Sequence, residues 1–143
     1  MNLIDKLKLF ILTAITDISL IYIYIYLTFN ISEKLWLLLT FIVHINFYVG
    51  IIYNFRKLLD FLHLFVFLLP FLTLFLQNWF IKFVALLFVL AIQILWIKEE
   101  RCILNEIGED KSLGYGKIIN VVTLFLGTIL SYQLGILHVF VNI

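Results

Sequence analysis

Apolar runs of roughly twenty residues, parted by short polar breaks, make up most of this chain, a pattern that predicts membrane-spanning helices. Five spans are predicted, at about residues 9–29, 35–55, 61–76, 80–97 and 118–141. The opening MNLIDKLK reads as a weakly amphipathic entry carrying Lys6 and Lys8. The first run is too long for a signal-peptide core and lacks a small-residue cleavage site, so it is expected to be retained. YIYIY at 22–26 alternates like a strand. A lone strand in lipid would leave its backbone unpaired, so a helix is expected there. The stretch from Phe61 to Trp96 is far too long for one crossing at about 1.5 Å per residue. A turn at Gln77-Asn78-Trp79 divides it, and Pro70 should kink the third helix.

One hydrophilic segment, 98–117, stands apart from the apolar runs and must face water. It carries Lys98, Glu99, Glu100, Arg101, Glu106, Glu109, Asp110, Lys111 and Lys117. Five spans place it on the same side as the N-terminus. That side then collects Lys6, Lys8, Arg56, Lys57, Lys98, Arg101, Lys111 and Lys117, and the opposite side only Lys34 and Lys82. This is the split of the positive-inside rule, with the N-terminus inside. Trp36, Trp79 and Trp96 fall at predicted span ends, where indole rings prefer the interface. The expected fold class is all-α: a multi-pass helical membrane protein, residues 1–143 forming a single transmembrane domain.

Composition agrees with the pattern. Hydrophobic residues make up 64% and charged residues 13%, with a mean hydropathy of +1.14. A soluble domain of this length cannot cover so much apolar surface, because a small globule keeps much of its surface exposed. A net charge of +1 gives no pull toward nucleic acid. The lone cysteine, Cys102, excludes an internal disulfide framework and a cysteine-based zinc site. It lies just past Trp96 and is a candidate for lipidation, or else a small apolar residue. No metalloprotease, nucleophile-elbow, P-loop or dinucleotide motif is present. The three histidines do not share a helix at ligand spacing, so no metal and no cofactor is expected. Residues 112–116, SLGYG, resemble the glycine-rich filter of potassium channels. The preceding Glu109, Asp110 and Lys111 set them in a water-facing loop, so a glycine turn is expected instead.

Two sets of intramembrane residues carry candidate roles. Asp17 lies near mid-depth of the first span, where a charge costs on the order of 2.5 to 3.5 kcal/mol and demands a partner. His44, at similar depth in the antiparallel second span, is that partner. Thr13 and Tyr24 extend the polar row on the first helix, and Thr40 and Tyr48 on the second. Asp17, His44, Tyr48 and Tyr24 then form either a polar clamp between two helices or a proton or cation relay. In the last span Thr123, Gly127, Ser131 and Gly135 recur every fourth residue. Such a small-residue stripe permits close helix contact, within the chain or in a self-dimer.

These features lead to the expectation of a structural, accessory or assembly component of a membrane complex, or of a viral or organellar membrane, with no enzymatic machinery. Its expected partners are the lipid bilayer, other membrane subunits or a second copy, and no nucleic acid. An alternative is a small ion or proton carrier or channel using Asp17 and His44. A second is a lipid-acting membrane enzyme using Glu99, Glu100, Glu106 and Asp110, although a solvated, self-neutralised face explains those acids more simply.

Overall fold

The computed structural model describes residues 3–99 and 115–136. Among these the chain is all-helical, with five helices. They are α1 (Leu3–Tyr26), α2 (Ile31–Tyr53), α3 (Arg56–Thr73), α4 (Trp79–Glu99) and α5 (Tyr115–Gln133). α1 and α2 are long and apolar enough to cross a membrane, at 24 and 23 residues. At about 1.5 Å per residue each is roughly 35 Å long, slightly more than a bilayer's hydrocarbon core.

α1 packs on α2 and α4, α2 on α3, and α3 on α4, so the first four helices close into a ring. α5 lies outside it, against α4 with a smaller contact to α3. Short antiparallel connections enforce this order. Between α2 and α3 the chain reverses in two residues. Asn54 adopts a left-handed conformation (φ 54°) and donates its N–H to the Gly50 carbonyl, which also accepts from Phe55. Asn tolerates that conformation better than most residues, which is why the turn is so short. Gly50 is needed for a second reason: a Cβ there would lie 2.7 Å from Leu59 Cδ2.

The opposite end of the ring is tied by Glu33, a buried carboxylate. Asn30 caps α2 through its side chain, and Glu33 Oε2 accepts the Asn30 N–H, completing a capping box. The other oxygen, Oε1, accepts the Asn78 N–H at 2.9 Å. Asn78 in turn caps α4, its Oδ1 accepting from Phe80 and Ile81. A single carboxylate thus joins the starts of α2 and α4, where the helix dipoles favour negative charge.

The core is apolar and distributed over the ring. Leu9, Val43, Phe47, Ile51, Leu59 and Leu62 form part of one cluster. Leu20, Trp36, Leu37, Leu76 and Ile81 form another nearer the Glu33 end. The exterior is equally apolar: Ile11, Ile18, Ile42, Leu64, Leu87 and Phe125 are all exposed. Several polar side chains go inward, with Thr13, Glu33, Thr40, His44, Thr73 and Thr123 all buried.

Several sequence expectations need correction. Residues 3–8 are no separate entry segment, since α1 already starts at Leu3 and Asp5 is buried in its first turn. The predicted last span is interrupted within the described residues: α5 ends at Gln133, where Gly135 turns left-handed (φ 73°) and its N–H bonds the Tyr132 carbonyl, and residues 137–141 lie outside the described residues. Trp36 is not an interfacial anchor. It is buried, and its Nε1–H donates to the Leu69 carbonyl at 3.0 Å. Trp79, by contrast, is exposed and stacked on Phe83. Pro70 lies inside α3 one turn before its end, and beyond Thr73 the chain unwinds through tighter i→i+3 bonds.

Candidate functional site

Asp17 faces α2 from the middle of α1. Its Oδ1 lies 2.6 Å from His44 Nδ1, the pairing in which an imidazole N–H donates to a carboxylate. Its Oδ2 accepts from the Tyr48 hydroxyl at 2.8 Å. His44 and Tyr48 stand four residues apart, so one helical turn of α2 presents both donors to one carboxylate. The Tyr48 ring is held in turn by Phe10, with centroids 4.9 Å apart. Asp17 and His44 retain only 16% and 10% side-chain exposure, so their bond is shielded from solvent competition.

Tyr24 is not part of this cluster. It is exposed, and its ring stacks on Phe29. Tyr24 stands about two helical turns beyond Asp17, near the end of α1, where Phe29 of the following connection is its ring partner. Thr13 and Thr40 do not reach Asp17 either. Their hydroxyls donate to the carbonyls of Leu9 and Trp36 on their own helices.

These threonines line something that the sequence did not reveal. A cavity of about 50 Å³ lies inside the ring, bordered by all four of its helices. Thr13, Thr16, Thr40 and His44 supply its polar wall, and Trp36 and Phe47 are among its aromatic residues. Thr16 likewise donates to its own helix, at the Leu12 carbonyl. Three hydroxyl oxygens therefore keep acceptor capacity on the wall. His44 connects the two features, since Nδ1 is bound to Asp17 while the ring borders the cavity.

The small-residue stripe divides. Gly127 is buried against α4, and a Cβ added to it would meet Val89 at 3.7 Å. Thr123 Oγ1 donates to Gln93 Oε1 on α4 at 2.6 Å. Ser131 is half-buried, and Gly135 serves the terminating turn with nothing near its missing side chain. The face offered for self-association is thus occupied by α4 within the chain. Gln133 Nε2 reaches the Leu74 carbonyl and ties the end of α5 to the α3–α4 turn.

Cys102, Glu100, Glu106, Asp110 and the SLGYG segment up to Gly114 lie outside the described residues. Among the described residues no group of three or more metal-ligating side chains converges. Glu33 and Gly50 are structural residues that the sequence reading missed. The Asn30-x-x-Glu33 spacing is a capping-box signature that would have found the first. Comparison with protein-family models, with curated proteins and with solved structures finds no match for this chain.

Proposed function

We propose that this chain is an integral, multi-pass membrane protein whose five helices all cross the bilayer, with the N-terminus inside. Its role is that of a structural, accessory or assembly component, and the Asp17–His44–Tyr48 cluster clamps α1 to α2. One observation carries this reading: large apolar side chains face outward on every described helix, while Thr13, Thr40, His44, Thr73 and Thr123 are buried between helices. In water such an exterior would be a continuous aggregation surface, whereas lipid accepts it at no cost. The distribution of lysine and arginine between the two ends supports the orientation. The clamp is supported by both Asp17 oxygens being used within the chain.

Two measurements test this. A tag at Met1 should be shielded from outside reagents in intact membranes while one after Ile143 is reachable, and equal access at both ends would refute five crossings. The particle released by mild detergent should be heavier than a monomer or dimer of this chain. A lone small oligomer would remove the accessory role.

A further inference from the structure

α5 stands beside the ring, packed mainly on α4, and along α3 it leaves a gap. The two helices border a groove of about 410 Å³ whose lining is wholly apolar. It runs from Leu64 to Leu74 on the α3 side and from Val121 to Ile129 on α5. At about 1.5 Å per residue these stretches are roughly 15 and 12 Å long, half the thickness of a hydrocarbon core of about 30 Å. Leu126 in the groove is buried, whereas Phe71, Val121 and Phe125 are exposed, so the groove opens to the outside of the molecule. One end is bridged, since Gln133 Nε2 donates to the Leu74 carbonyl at 3.3 Å.

Size and chemistry select the occupant. Ordered water needs roughly two to four polar partners, and this lining offers none. Volume divided by length gives a cross-section of about 30 Å². A helix at least 10 Å across takes about 80 Å², so a second copy can lay only a ridge of side chains on the rim. A single alkyl chain is one methylene wide, and it supplies the dispersion contacts that the two separated walls lack. The ends of the groove also differ. Beyond its bond to Leu74, Gln133 is exposed and has a second amide N–H to donate, which suits an ester oxygen. The other end, between Leu64 and Val121, lies near the middle of α3 and is apolar, which suits a terminal methyl.

We propose that the α3–α5 groove is a lipid site holding one acyl chain of a membrane lipid, with the ester end beside Gln133 and the methyl end between Leu64 and Val121. The groove is then as long as one leaflet is deep. Such a site rests on the membrane reading above and gives it a defined lipid partner. It does not depend on which end of the chain is inside.

The test uses the full chain in phosphatidylcholine vesicles that contain a phosphatidylcholine with a diazirine in one acyl chain. After irradiation, mass spectrometry maps the labelled residues. A diazirine near the ester should mark the surroundings of Leu74 and Ile129, and one near the methyl end those of Leu64 and Val121. Groove labelling should saturate as the labelled fraction rises. It should exceed that of Leu87 and Leu124, exposed outside the groove, by about fivefold, the ratio for roughly 1 kcal/mol of preference. Val122→Trp fills the groove and should remove that excess, while Leu124→Trp adds bulk outside it and should leave the excess unchanged. Equal, unsaturable labelling inside and outside, or an excess that survives Val122→Trp, overturns the site. When the chain resists alkaline carbonate extraction, such a result leaves the membrane reading standing; release by carbonate removes both. An unlabelled groove in which Phe125→Cys, made with Cys102→Ser, joins copies by a disulfide gives the groove to a second copy and overturns the lipid site as well.

Discussion

The α1–α2 and α4–α5 interfaces join neighbouring helices by opposite means. Between α1 and α2 a carboxylate receives two donors from one turn of the facing helix. Between α4 and α5 the contact rests on a glycine against Val89, with Ala85, Leu86, Leu126 and Leu130 filling in around it. One polar link, Thr123 to Gln93, is added. The first interface is strong at one depth and specific in register. The second spreads dispersion along its length, and the absence of a side chain matters more than the presence of one. Under the proposed membrane reading both kinds of contact matter, because lipid is as apolar as leucine and gives neighbouring helices no hydrophobic reason to associate.

The sharpest way to break this contrast is to remove a partner from Asp17. His44→Ala strips Asp17 of one of its two hydrogen-bond partners, and the expected loss is about 3 kcal/mol, the upper end for a buried polar group that loses its partner. Reversible unfolding in detergent mixtures of rising dodecyl sulfate content would read it. Asp17→Asn combined with His44→Ala should recover part of that loss, giving a coupling energy above about 1 kcal/mol. Additive effects would mean that the pair is incidental to the α1–α2 contact.

The second interface should instead respond to volume. Gly127→Leu is expected to cost about 2 kcal/mol by overpacking against Val89, whereas Gly127→Ala should be nearly silent, given the 3.7 Å that remains. The separation of α5 from α4 would be followed by cysteine crosslinking between introduced pairs, and equal effects from alanine and leucine would contradict packing control. A smaller effect is expected at the end of the ring. Glu33→Ala should cost about 1 kcal/mol through the lost capping box, and amide exchange at Asn30 and Asn78 should rise together. Exchange rising at Asn30 alone would show that the carboxylate does not join the two helix starts. The smallest change sharpens the first interface. Tyr48→Phe removes one hydrogen bond from Asp17 and should cost about 0.6 kcal/mol; a loss as large as that of His44→Ala would place the clamp on Tyr48.

Much of this arrangement is legible in the chain. Asp17 and His44 stand out because an ionisable group is rare in such apolar runs, and antiparallel geometry matches their depths. Tyr24 misled, since sequence spacing alone does not say where a helix end turns away from its neighbour. The Thr123–Gly127 repeat is readable as a close contact, but Gly135, though in register with it, serves to end the helix. Residue type there was ambiguous: glycine suits both tight packing and a left-handed turn.

The sequence by itself determined that the described chain is helical and where the turns between the first four helices fall. Backbone groups amid apolar side chains must bond locally, and Asn54 and Asn78 punctuate the pattern. Only the tertiary structure decided which faces meet. Lipid-type exteriors and cores here are built from the same leucine, isoleucine and phenylalanine, so hydrophobicity gives no contrast between inside and outside. Burial of Trp36, the approach of Gly50 to Leu59, the reach of Glu33 to Asn78 and the cavity beside His44 all arise from non-local packing. Their cause is shape complementarity between helices, and no periodicity along one chain encodes the shape of its neighbour.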